Sequence, residues 1–118
     1  MSLLNRQPGK LIEHSLEELK AVARGAIVTS SDDQEMGQAT QLHVRTDEIN
    51  PAQKLYQYYF RVARPIMGNA AYVPADFIEI KSADQLRLTV TSDAFEGERW
   101  DVAPTFIAVG NDTTYDLP

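Results

Sequence analysis

The stretch that most restricts what this chain can fold into is "LYQYYFRVA" (55–63). Tyr56, Tyr58, Phe60 and Val62 fall on one side of it, and Gln57, Tyr59 and Arg61 on the other. A period of two belongs to a strand with one face in a core, and aromatic and β-branched side chains suit that pleated surface. The alternation recurs in "QATQLHVRT" (38–46), with Thr40, Leu42 and Val44 opposite Gln41, His43 and Arg45. In "FIEIK" (77–81), Ile78 and Ile80 oppose Phe77, Glu79 and Lys81, and in "LRLTVT" (86–91) Leu86, Leu88 and Val90 point inward. "AIVTS" (26–30) and "AYV" (71–73) read as shorter strands. Short strands with turn signals roughly every 8–12 residues predict a mainly β chain, a small antiparallel barrel or sandwich.

One short helix is expected ahead of the strands. Ser15 and Glu18 in "HSLEELKAVARG" have capping-box spacing, Leu16, Leu19 and Val22 or Ala23 share a face, and Gly25 is a C-terminal stop. The domain reading is a flexible arm over 1–10, a barrel over 11–95 and a C-terminal extension over 96–118. Within the extension, "TFIAVG" (105–110) reads as one further strand and "NDTTYDLP" as a frayed or extended end.

At 118 residues the chain suffices for one domain with its own core. Its net charge of −6 and its scattered Lys and Arg argue against nucleic-acid binding, which needs a basic face. With no cysteine, disulfides, thiolate nucleophiles and Cys-based metal sites are excluded. No apolar run approaches the roughly 20 residues of a membrane helix, so no membrane insertion is expected. The missing signal-peptide profile adds the expectation of a cytoplasmic protein.

Few residues carry recognisable chemistry. "SSDDQEMGQ" (30–38) invites a calcium reading, but with Gly37 at position 6 only Asp32 matches an EF-hand ligand position. It reads instead as a Ser/Asp turn closed by a glycine at a strand start or bulge. His14 and His43 read as solvated surface histidines, His43 beside Gln41 and Arg45. Asp76, Glu79, Asp93, Glu96 and Glu98 read as acidic surface rather than a catalytic pair. No catalytic residue, cofactor or metal ligand is assigned. The candidate partner-binding residues are Tyr59 and Arg61, an aromatic–arginine pair on the outward face, with Trp100 and Phe106 in the extension.

"GAIVTSSDDQEMGQATQLHV", "YQYYFRVA", "AYVPADFIEI" and "DQLRLTVTSDAF" follow one another as the opening hairpin, central strand, hydrophobic-Pro segment and closing strand of the PRC-barrel superfamily, which the chain resembles over about residues 25–95. The long loop 47–54 and "DDQE" in the first turn depart from that pattern. The resemblance implies an SH3-like β-barrel and a role in protein–protein assembly without catalysis. The expectation is a non-enzymatic module with a protein partner. The apolar run "VAPTFIAVG" (102–110) must pack on its own barrel or on a neighbour, and with the barrel pattern it adds the expectation of a homodimer. Two alternatives stand beside this. One is a small-molecule binder or enzyme with a pocket near Tyr59, Arg61 and the loop 47–54. The other is a ribosome-associated assembly factor.

Overall fold

The computed structural model describes residues 9–46, 56–65 and 68–118. The arm residues 1–8, the loop 47–54 with Leu55, and residues 66–67 of the turn after the central strand lie outside the described residues.

The chain is mainly β, and the strands form a curled sheet that makes a half-barrel. The strands are β1 (Ala26–Thr29), β2 (Glu35–Arg45), β3 (Tyr58–Ala63), β4 (Ala71–Pro74), β5 (Ile78–Ser82), β6 (Gln85–Leu88) and β7 (Asp112–Asp116). Helices α1 (Leu16–Lys20), α2 (Ser92–Gly97) and α3 (Thr105–Ala108) are short, and a 3-10 turn covers Ala75–Phe77. The order across the sheet is β4-β3-β2-β1-β6-β5, with β7 also on β2.

The sheet is mixed, where the sequence predicts an antiparallel one. β1 and β6 run parallel, Val28 opposite Leu86, because the β5–β6 hairpin brings β6 back along β1. β2 is the hub. It pairs antiparallel with β3 along one edge, and with β1 and then β7 along the other. Ala39, Leu42, Phe60, Val62 and Val73 are buried in the core that this sheet encloses, together with Ile78, Leu86 and Leu88.

Two irregularities redirect side chains that strict alternation would misplace. The β2–β3 register slips between Ala39 and Gln41, so Ala39 and Leu42 are both buried while Thr40 turns its hydroxyl to the Arg61 carbonyl. The 3-10 turn carries Phe77 inward beside Ile78, where both are buried, although alternation set them on opposite faces.

Helix α1 starts where expected but ends early, with Ala21 rather than a residue next to Gly25 as its C-cap. Ser15 Oγ accepts the Glu18 N–H at 3.2 Å, and Leu19 and Val22 join the core. The end of the expected loose arm is docked, with Lys10 O accepting the Thr89 hydroxyl at 2.8 Å, and just beyond the arm Ile12 N–H donates to Asp76 O at 2.7 Å. Residues 105–110 form α3 and the turn after it rather than a strand, and the strand of this segment is β7, in the stretch read as a frayed or extended end.

Gly37 shows why the first hairpin needs its glycine. Its φ is +151°, and a Cβ there would lie 2.4 Å from the Ala63 carbonyl oxygen and 2.8 Å from Val62 Cγ1. Gly25 has φ +85° and open space around it. Gly37→Val is therefore expected to cost about 3 kcal/mol and Gly25→Ala about 1 kcal/mol. Urea unfolding of the two variants checks the ranking, and equal midpoints would contradict it.

Candidate functional site

Period two does place Gln41, His43 and Arg45 on the face of β2 away from the main core, in register with Tyr59, Arg61, Tyr72 and Pro74 of β3 and β4. That face is not left to solvent. A strap leaves the β4 edge where Trp100 O accepts the Tyr72 N–H at 2.7 Å, passes through α3, and enters β7, where Asn111 O accepts the Thr46 N–H at 2.9 Å. Phe106, in α3, is the strap's anchor. Its ring lies 5.4 Å from that of Tyr59, and the Arg45 guanidinium sits 4.2 Å from its centroid.

His43 is consequently buried, not a solvated surface histidine. Its Nδ1 lies 2.8 Å from Asp112 Oδ2, and both side chains are 8% exposed. Thr114 Oγ1 donates to the same carboxylate oxygen at 2.8 Å. A carboxylate can only accept, so Nδ1 carries the proton. His43 Nε2 is buried with no hydrogen-bond partner, and the ring lies 5.8 Å from Tyr72. Asp112 orients the imidazole as it would for a general base, but solvent does not reach Nε2. The pair therefore works as a latch that ties β7 to β2.

The four predicted partner-binding residues separate. Tyr59 and Phe106 come together, and each covers the other. Burial pushes the Tyr59 hydroxyl up to about 12. Arg61 is exposed on the next row, beside Gln41 and Tyr72. Trp100 packs 5.5 Å from Phe77 and 5.2 Å from Phe95. Tyr56 joins the two halves, 6.3 Å from Tyr59 and 5.5 Å from Phe77. The rings run Phe106, Tyr59, Tyr56, Phe77, Trp100, Phe95, and the Arg64 guanidinium lies 4.8 Å from the last. The apolar run 102–110 is thus engaged by its own barrel through Phe106, with Val102 and Val109 left exposed.

A cleft of about 400 Å³ lies beside Tyr56, between the arm and the 3-10 turn. Ile12, Glu13, His14, Tyr56, Gln57, Tyr58, Ala75 and Asp76 line it. The Ile12–Asp76 backbone bond sets its width. His14 is a second histidine read as solvated that is in fact buried, its side chain 3% exposed. Its Nδ1 faces Glu18 Oε1 at 2.8 Å and its Nε2 faces the Ile78 carbonyl at 2.6 Å. The His14 hydrogen bond holds the Glu18 carboxyl below its ordinary value. Of the five carboxylates weighed as a catalytic set, Asp76 alone is half-buried. Glu79 pairs with Lys81 at 3.0 Å and Glu96 with Arg64 at 2.7 Å, while Asp93 and Glu98 are exposed. Burial raises the Asp76 carboxyl above its ordinary value, with Glu13 adding to the rise. Burial likewise raises Tyr56, with Asp76 and Glu98 reinforcing it. The sequence held one signal for this cleft: an acid set between a proline–alanine pair and a core phenylalanine in "PADF".

The acidic turn of 30–38 has a structural use. Ser30 donates to Asp32 Oδ1, which also accepts the Ser92 N–H at 2.9 Å, and Ser92 Oγ donates to Asp32 Oδ2 at 2.8 Å. Asp32 thereby ties the β1–β2 turn to the first turn of α2, while Asp33 pairs with Arg87 at 2.7 Å. Among the described residues, no group of three His, Asp or Glu side chains is placed to hold a metal ion.

Comparison with protein-family models, curated proteins and solved structures finds no match to the chain.

Two predictions follow from these contacts. The hydrogen bonds from Ser30 and Ser92 hold the Asp32 carboxyl at about 2, below its usual 3.8. A depressed carboxylate stabilises the fold above its unfolded value and ceases to as pH falls through its folded one. Asp32→Ala should therefore lower the urea midpoint at pH 7, and the gap to wild type should close between about pH 4 and 2. A gap independent of pH would reject the assignment. Asp112→Ala should cost roughly 3 kcal/mol, because it strands a buried imidazole. Amide protection should fall first across 112–116, and unchanged exchange there would refute the latch.

Proposed function

We propose that the chain is a non-enzymatic binding module of the PRC-barrel kind, which mediates protein–protein contact through the cleft between its arm and its 3-10 turn. One observation carries this reading. The Asp76 carboxylate is half-buried in an open cleft, and no side chain among the described residues donates a hydrogen bond to it. Its own backbone N–H and His14 offset only part of that burial, which still raises the carboxyl, and a bound group that supplies a further donor offsets the rest. The curled, mainly β sheet supports the resemblance to PRC barrels at the level of architecture. The outer face around Tyr59 is less available to a partner, because Phe106 already covers that ring.

Affinity capture from the native lysate tests the proposal with three baits: wild type, Asp76→Asn and Arg61→Ala. The expected outcome is one stoichiometric protein held by wild type and Arg61→Ala and lost from Asp76→Asn. A partner lost only from Arg61→Ala would move the contact to the open row of the outer face. No stoichiometric partner on any bait would overturn the assembly role.

A further inference from the structure

The chemistry of the arm-side cleft specifies more than a docking place. Two tyrosines and two carboxylates line it, Tyr56 and Tyr58 with Glu13 and Asp76, and among the described residues no lysine or arginine does. His14 is the one base among the described lining residues that acts on Asp76, and its nitrogens face Glu18 and the Ile78 carbonyl rather than the Asp76 carboxylate. Its pull only partly offsets the burial of that carboxylate, beside which Glu13 adds a second negative charge. Glu98 extends the same field to the Tyr56 hydroxyl. Aromatic faces beside a half-buried carboxylate attract an organic cation twice over, through the ring quadrupole and through a charge-assisted hydrogen bond. A volume of about 400 Å³ accommodates one long side chain and falls within the roughly 300–1,000 Å³ of ligand sites. The net charge of −6 favours approach of a basic partner.

We infer that this cleft receives a single lysine or arginine side chain of the partner protein, with the cationic head on Asp76 and the aliphatic stem against Tyr56 and Tyr58. The inference rests on the reading of the cleft as the docking place and adds the identity of the group that enters it. An anionic or purely apolar anchor is excluded by the same field.

The test uses the full chain and three probes: N-acetyl-lysine methylamide, N-acetyl-arginine methylamide and the uncharged N-acetyl-norleucine methylamide. Amide shifts are followed by NMR. The expected result is saturable shifts at residues 12–14, 56–58 and 75–77 with the lysine or arginine probe, with Kd roughly 1–10 mM, the range of a single small contact. Asp76→Asn should weaken that binding on the order of tenfold, and added salt should weaken it further. Tyr56→Leu, which leaves the carboxylate in place, should weaken it by a smaller factor and serves as the second variant should Asp76→Asn fail to fold. Equal shifts with the norleucine probe, or cation binding unaffected by both variants, would overturn the inference. If no probe binds while Asp76→Asn still loses a captured partner, the cation site falls and the docking reading stands. If the cationic probes bind as described while no partner is captured, the cation site stands and the assembly role falls.

Discussion

An eleven-residue strand with neighbours along both of its edges organises this molecule. β2 is too long to be matched by one short partner, so β1 takes its first half and β7 its second, on the same side. The close approach of Gly37 to the Ala63 carbonyl lets β2 bend as it passes from one partner to the next. The bulge at 39–41 then resets its inward side chains. A strand that bends and shifts register in this way curls the whole sheet, and the curl makes room for a core from few residues.

The second consequence of β2 lies on its other face. Because β7 must reach the far half of β2, the chain has to travel from the β4 edge across the outside of the sheet. That crossing turns an outer face into a second, smaller packed layer. Phe106 is its keystone, the His43–Asp112 pair its latch, and the row of rings from Phe106 to Phe95 its seam with the main core. A buried polar pair is a costly way to gain stability compared with apolar packing, but it is selective about register. Asp112 finds His43 only when β7 is aligned as it is, and a slip of one residue would turn that carboxylate to the other face.

Much of the main sheet was legible. The alternation of Tyr56, Tyr58, Phe60 and Val62 marks one face of the central strand without ambiguity, and the Ser/Asp turn before Gly37 behaves as turn chemistry requires. What periodicity cannot express is a strand whose two faces are both covered. His43, Tyr59 and Arg45 alternate as outward residues do, and the segment that covers them has no period of its own. The two histidines were misjudged for a related reason. The His43 acceptor lies 69 residues away and the His14 carbonyl partner 64. Neither is visible to a local reading. The parallel β1–β6 pairing is equally non-local. The arm-side cleft depends on Ile12 meeting Asp76, a contact that no spacing in the sequence announces.

The β7 ladder also sets an order of events. It joins Gln41 to Asp116, residues 75 apart, and does so with a strand that follows all the others in sequence. Closing so large a loop is slow relative to hairpin formation, and during synthesis it cannot begin until that segment emerges. Until then β2 presents half an unpaired edge, His43 lacks its acid, and the outer aromatic row lies bare. The nascent protein therefore passes through a stage in which its central strand is open to pairing with another chain. The closing strand acts as the protein's own safeguard against that exchange.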